Sequence, residues 1–369
     1  MPFNQNFNFN FADDGPFQRV WTFKQAGVLS LPHGVVFACA SVRNPETSPG
    51  VVVLNIPTNQ ACSSYLGQLI EPQVTNYCEY SQAFNSWSNN GATIEGYIAD
   101  PAGNTSHTAV DVQTTVATNN LYYGLSGTVA NVTVSCWSKK TGGANLLTFG
   151  PADSSVAGIA PLVLTPTTTW ARYANTVAGN ARAFNYQVIG DSRLDAGANP
   201  QRAGISFCQI ENNLWATSYT ITGGASATRA GATQTLPVAN KANNVIDLTF
   251  PAGCSIGTQG ACIIEGDGTN SFSFSAGGTF ATTFGGGHSG STNYSSANGT
   301  IRVRVTALGS SGKAKLELWN NNVLMSPLGG DVLNIGSAFN FASKNIYMSN
   351  NGLGTACLPA YGYSRIAWQ

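Results

Sequence analysis

Apolar and polar residues alternate along most of the chain in short runs, broken by Gly, Pro, Asn and Asp at intervals of roughly ten residues. The alternation is sharpest in Thr133–Trp137, Ala203–Gln209, Thr300–Leu308 and Ala314–Trp319. In a strand, successive side chains point to opposite faces, so period two marks a sheet with one covered face. Thr300–Leu308 puts Arg302 and Arg304 on one side, and Ala314–Trp319 does the same with Lys315 and Glu317. This is the pattern of antiparallel sheets that cover a core on one side. No helix of ordinary length is indicated, apart from a short turn near Ala61–Leu69. The expected class is all-β: a small N-terminal β or anchor region followed by two antiparallel β-sandwich domains of jelly-roll type.

The stretch Gln209–Gly231, QIENNLWATSYTITGGASATRAG, reads as the seam between the two sandwiches. Leu214–Tyr219 is expected to close the first, with Trp215 and Tyr219 as packing residues. Thr222–Gly231 reads as a short flexible connection, and Arg229 stands at the entrance to the second. The boundaries drawn this way are 1–75 for an attachment or collar region, 76–221 for the first sandwich, 222–244 for a linker and 245–369 for the second sandwich. At the amino end, Phe3, Phe7, Phe9 and Phe11 stand among Asn and Gln, and period two places the last three on one face of an extended strand. An apolar edge of this kind calls for a cover. Two readings stay open, strand addition to a partner or neighbouring subunit and folding back on the chain's own domain.

Composition narrows the function classes. Only 9% of the 369 residues are charged, with 17 basic and 17 acidic side chains, against ~25% charged in an ordinary soluble domain. Amides and hydroxyls must therefore supply the polar surface. A balanced, sparse charge gives no footprint for nucleic acid, and no apolar run approaches the ~20 residues of a membrane-crossing helix, so neither nucleic-acid binding nor membrane insertion is expected. The eight cysteines include no CxxC pair, which argues against structural zinc. Cys39, Cys136 and Cys208 lie in apolar runs and read as buried thiols. Cys254 and Cys262, flanking a Gly-rich turn, are the best disulfide candidates. No basic segment followed by an apolar one opens the chain, which leads to the expectation of folding in a cytoplasm.

Several stretches carry a family likeness. YSQAFNSWSNNGATIEGYIADPAGNTSHTAV resembles the opening of a carbohydrate-binding-module-like jelly roll common in bacteriophage virion proteins, and VSCWSKKTGG and TTTWARYANTV resemble two of its core strands. QIENNLWATSYTITGGASATRAG resembles its closing strand and exit, while DVLNIGSAFNF and GYSRIAWQ resemble the last strands of a concanavalin A/laminin-G-like domain. The likeness spans about residues 76–369; the first 75 match no pattern. It implies a non-enzymatic virion structural protein, such as a tail fibre, head fibre, spike or decoration protein. Such a protein is assembled in the host cytoplasm and displayed on the virion surface. The implied partners are other virion proteins through the N-terminal region, further copies of the chain, and host surface polysaccharide.

Sugars bind by stacking apolar faces on aromatic rings while amides and carboxylates hold their hydroxyls. Trp87, Tyr97, Tyr122 and Tyr123 lie near turns, and Trp319 lies beside Asn321 at an expected hairpin, so these six are the glycan-contact candidates, each against a packing role. Trp137 and Trp170 fall inside regular strands and are expected in the core. A depolymerase of the tailspike kind would need two carboxylates ~5–10 Å apart across a cleft; the few acids stand singly, and Asp191 and Asp195 lie in a loop-like segment. His33, His107 and His288 show no ligand spacing. No cofactor is expected. A structural calcium ion on Glu265, Asp267 and Asn270 is weighed against a solvated turn. The other alternative is a cementing capsid or tail component that binds only neighbouring subunits.

Overall fold

A computed structural model describes residues 19–22, 27–28, 36–64, 67–68, 71, 73–115, 119–125, 132–142, 147–152, 162–177, 185–189, 201–213, 216–237, 245–250, 262–265, 271–274, 279–284, 288–293, 301–307, 313–324, 333–334, 345–348 and 365–368. The chain is all-β over these residues, with antiparallel sheets and a single short 3₁₀ turn at Phe84–Ser86. The turn expected near Ala61–Leu69 is replaced by short strands at Cys62–Ser64 and Gly67–Gln68.

The chain forms two compact units, neither continuous in sequence. The first comprises residues 1–39, 59–72 and 231–369, and the second 40–58 and 73–230. These units do not coincide with boundaries at 75, 221 and 244. The first 75 residues are not one region: part joins the carboxyl-terminal unit, and 40–58 joins the other. In the carboxyl-terminal unit, Arg19–Thr22 pairs with Arg365–Trp368, and Val36–Ala38 pairs with Thr233–Pro237. Partners more than 190 residues apart leave no mark on a local pattern, which is why the amino-terminal stretch looked independent. The segment expected as a linker, 222–244, contains two strands, Ala227–Arg229 in one unit and Thr233–Pro237 in the other.

Trp87, Tyr97, Tyr122 and Tyr123 belong to the unit built from 40–58 and 73–230. Its strands are β1 (Glu46–Ser48), β2 (Val51–Val52), β3 (Val74–Asn76), β4 (Ser88–Asn90), β5 (Thr93–Tyr97), β6 (Ala109–Thr114), β7 (Asn120–Gly124), β8 (Val132–Lys140), β9 (Leu147–Ala152), β10 (Leu162–Leu164), β11 (Ala171–Val177), β12 (Asn185–Ile189), β13 (Gln201–Glu211) and β14 (Ala227–Arg229). The main sheet runs β5-β6-β13-β8-β11, with β3 on β13 and β14 on β3. A second sheet runs β10-β9-β12-β7-β4.

Between the sheets lies an apolar core of Val110, Val112, Leu121, Val134, Ile205 and Ile210 with Phe84, Trp87 and Tyr186. The opposite face of the main sheet is also buried. Trp137, Phe207 and Tyr219 pack there against Val52, with Leu54, Trp170 and Ile221 at the margin. The cover on this side is the strap 40–58, whose hairpin is β1–β2, together with residues 216–222. With both faces covered, β8 is buried at every position from Val132 to Ser138. Phe207 reaches the outer face because the β8–β13 register shifts beside it and its φ is 50°.

Candidate functional site

Of the aromatic candidates, the structure takes two into the core. Trp87 donates its indole N–H to the Tyr80 carbonyl at 2.8 Å and tilts against Phe84, Tyr123 and Tyr186, with ring centroids 5.3–5.7 Å apart. Tyr123 is buried, and burial pushes its phenol up to about 12. Trp87 and Tyr123 are therefore packing residues, because the sandwich interior needs large rings where the turn returns to the sheet. Tyr122 is half-buried on β7. Trp319 is half-buried on its strand, with the guanidiniums of Arg302 and Arg304 over its ring at 5.2 and 5.5 Å. Asn321 is exposed in the adjoining hairpin turn, where it and Asn322 have φ of 50° and 65°, as a turn with two left-handed positions requires. Phe3, Phe7, Phe9, Phe11, Asp267 and Asn270 lie outside the described residues, as does the side chain of Glu265. Among the described residues, no group of three or more His, Cys, Asp and Glu could hold a metal ion.

Two carboxylates do converge, but inward. On the outer face of the main sheet, Arg172 lies opposite Trp137 in the β8–β11 register, and its guanidinium stacks on that indole at 4.4 Å. It donates to the Ser135 hydroxyl at 3.0 Å and the Thr217 carbonyl at 2.6 Å. Glu211 accepts from the Thr217 N–H at 3.1 Å and from the Thr217 hydroxyl. Glu46, on the strap, accepts from the Gly50 N–H at 2.7 Å. Burial raises the carboxyls of both Glu46 and Glu211 above the ordinary range, and Arg172 works against the rise in each. Glu46 thus braces the strap's own hairpin, while Arg172 and Glu211 hold Thr217 against the sheet.

The seam residues serve the same closure. The Asn76 side chain donates to the Thr220 carbonyl at 2.8 Å and accepts from the Cys78 and Ile210 N–H groups at 3.0 Å. Thr220 N–H donates to Gln209, the Asn44 amide to the Tyr219 carbonyl, and the Ser81 hydroxyl pairs with the Tyr219 phenol, all at 2.7 Å. Residues 216–222 thus cover the sheet without strand pairing, held by side-chain amides and hydroxyls in place of a ladder. The strand expected at Leu214–Tyr219 is absent over 216–219; Tyr219 is buried as foreseen, and Trp215 lies outside the described residues. Arg229 is buried in β14 and stands just before Gly231, where the chain passes into the other unit, as expected of a residue at that entrance.

One aromatic candidate remains at the surface. Tyr97, at the end of β5, is 47% exposed and stacks on the His107 ring, centroids 4.0 Å apart and planes 23° apart. Between them runs a loop organised by Asp100, which is 3% exposed. One carboxylate oxygen accepts from the Ala102 and Asn104 N–H groups at 2.8 and 2.9 Å; the other accepts from the Thr108 hydroxyl at 2.5 Å and the Asn104 amide at 3.3 Å. The loop is pinned from outside by Trp170, which donates to the Ala99 carbonyl at 3.2 Å, and by Val52 N–H, which donates to the Pro101 carbonyl at 3.2 Å. Sequence spacing left His107 without a role; its signal was the Asp-Pro-x-Gly turn that begins three residues after the strand aromatic Tyr97 and brings the loop's two ends together.

The free thiols Cys78, Cys136 and Cys208 are buried in the inner core. Burial raises the Cys78 and Cys208 thiols, which keeps them in the unreactive protonated form. Cys254 and the side chain of Cys262 lie outside the described residues. The chain matches no protein-family model and no curated protein.

Proposed function

We propose that this chain is a non-enzymatic structural protein of a phage or phage-like particle, presenting β-sandwich units outside the particle for contact with host surface glycans. The observation that carries this reading is the double cover of the main sheet. Its convergent titratable groups, Glu46, Arg172 and Glu211, point into the fold and lock it. Asn, Ser and Thr side chains stitch the unit internally, as at Asn44, Asn76, Ser81 and Thr222, which suits a body of low charge to dense assembly. Sequence likeness to carbohydrate-binding-module-like jelly rolls of virion proteins supports the particle setting.

Cryo-electron microscopy of intact particles tests the reading by position and copy number. A peripheral, symmetric location with at least one β unit facing solvent supports it. Release of reducing ends from host polysaccharide by the purified chain contradicts it. A second reading, a cementing component that binds only its neighbours, is favoured by exposed apolar residues on edge strands, Leu162 and Val163 on β10 and Val323 and Leu324 at 323–324. Complete burial of these strands between subunits, with no glycan bound, would favour it over display.

A further inference from the structure

We infer that Tyr97 and His107, on the loop held by Asp100, form a stacking site for the apolar face of a neutral pyranose sugar; this rests on the glycan-display reading. Three separate features of the backbone converge on the pair. The β5–β6 register shifts between Ile94 and Gly96, and a bulge of this kind re-aims the residues that follow it, here Tyr97. His107 holds a φ of 66°, a left-handed conformation that a residue with a Cβ adopts only when its surroundings impose it. That conformation brings the imidazole flat onto the phenol. Finally, a nearly inaccessible carboxylate, Asp100, accepts three hydrogen bonds from within the intervening loop and a fourth from Thr108, the residue after His107.

Packing alone does not explain the arrangement. A tyrosine that is 47% exposed contributes little to a core, yet its ring is stacked on the His107 imidazole. A ring pair fixed in advance binds a flat ligand without first having to be ordered. The chemistry at its edge selects among ligands. Asn104, Thr105 and Ser106 are exposed beside His107 and offer amide and hydroxyl groups of the kind that bond sugar hydroxyls. Of the neighbouring cations, Arg202 is engaged by Asp111 at 2.7 Å and the Lys139 ammonium lies over the Trp170 ring at 4.7 Å, while Glu95 is exposed on β5. Among the described residues an anionic sugar would thus meet the exposed Glu95 carboxylate and cations already engaged, whereas a neutral pyranose needs only the rings and the hydroxyl-bearing rim.

The test is calorimetric titration of the full chain with a panel of neutral gluco-, galacto- and manno-configured oligosaccharides, alongside sialylated and uronic acid oligosaccharides. Four variants are compared: Tyr97→Ser, Tyr97→Phe, His107→Ala and, as a distant surface control, Val163→Ser. Each is first checked for an unchanged melting temperature. The inference expects at least one neutral sugar to bind. Tyr97→Ser should weaken it roughly tenfold or more, His107→Ala should weaken it by several-fold, and Tyr97→Phe and Val163→Ser should leave it within about twofold. Equal affinity in Tyr97→Ser would overturn this site while the display reading survives. Binding of the acidic panel alone would overturn the assignment to neutral sugars. No binding of any saccharide would overturn both the site and the display reading.

Discussion

The two faces of the main sheet are both closed, but by different chemistry. The inner face meets a second sheet through aliphatic residues, aromatic rings and three thiols, and its burial follows the alternation of its strands. The outer face carries Trp137, Phe207 and Tyr219 beside Arg172, Gln209 and Glu211, and is closed by the strap 40–58, regular only in its short hairpin, and by the strandless segment 216–222. A sheet face covered by another sheet is satisfied by apolar contact, because each sheet pairs its own backbone. A face covered by non-strand chain must also satisfy that chain's N–H and C=O groups, and here Asn, Gln, Ser and Thr side chains do so. The amide-rich, charge-poor composition is the mark of this second kind of closure.

The largest test of that contrast is Trp137→Ala. It removes the ring at the centre of the outer face and the surface on which Arg172 stacks. The expected loss is about 3–5 kcal/mol in urea unfolding of this unit. Amides of the strap should lose protection before those of β7. Next is Gly50→Ala. Gly50 has φ of 77°, and a Cβ there would stand 1.8 Å from the Trp170 carbonyl oxygen. The backbone penalty alone is about 1–2 kcal/mol, and the clash adds to it, so limited proteolysis should cut 40–58 preferentially. Tyr186→Phe probes the inner face, where the phenol donates to the Ser135 carbonyl at 2.8 Å. A loss of about 1 kcal/mol is expected, without change in strap protection.

The smallest effect is a pH slope. Glu46 and Glu211 have folded-state values above their ordinary 4.5, so the stability they contribute is fully present below that value and is lost as pH rises through the folded-state values. The melting temperature of this unit should therefore rise from pH 7 towards pH 5, through these two groups. Glu211→Gln should flatten the rise. A melting temperature that falls over that range in the native chain and is unchanged in slope by Glu211→Gln would remove the carboxylates from the account.

The sequence disclosed the inner face well. Alternation located β8 and β13 through Thr133–Trp137 and Ala203–Gln209, and Trp137 reads as a packing residue. It did not disclose what lies outside. Val51–Val53 reads as an ordinary strand of an N-terminal region, and nothing local says that Val52 packs under Trp137. The seam looked like a linker because Thr, Gly, Ala and Ser resemble flexible chain. In the fold, Thr217, Thr220 and Thr222 are bound through backbone and hydroxyl groups to Glu211, Gln209 and Ser81. Candidate binding residues were legible only as a list. Trp87 and Tyr97 both lie near turns, and only the register shift before Tyr97 and the return of His107 distinguish a surface ring from a core one.

Hydrogen exchange on the native full chain tests the double cover most directly. The N–H groups of Gly50, Val52 and Ile56 in the strap, bonded to Glu46, Pro101 and Arg43, should exchange at the rate of the β8 amides, because strap and sheet open together. Strap amides that exchange freely while β8 stays protected would show the outer face open to solvent, and would contradict the closed, rigid unit on which the proposed function rests.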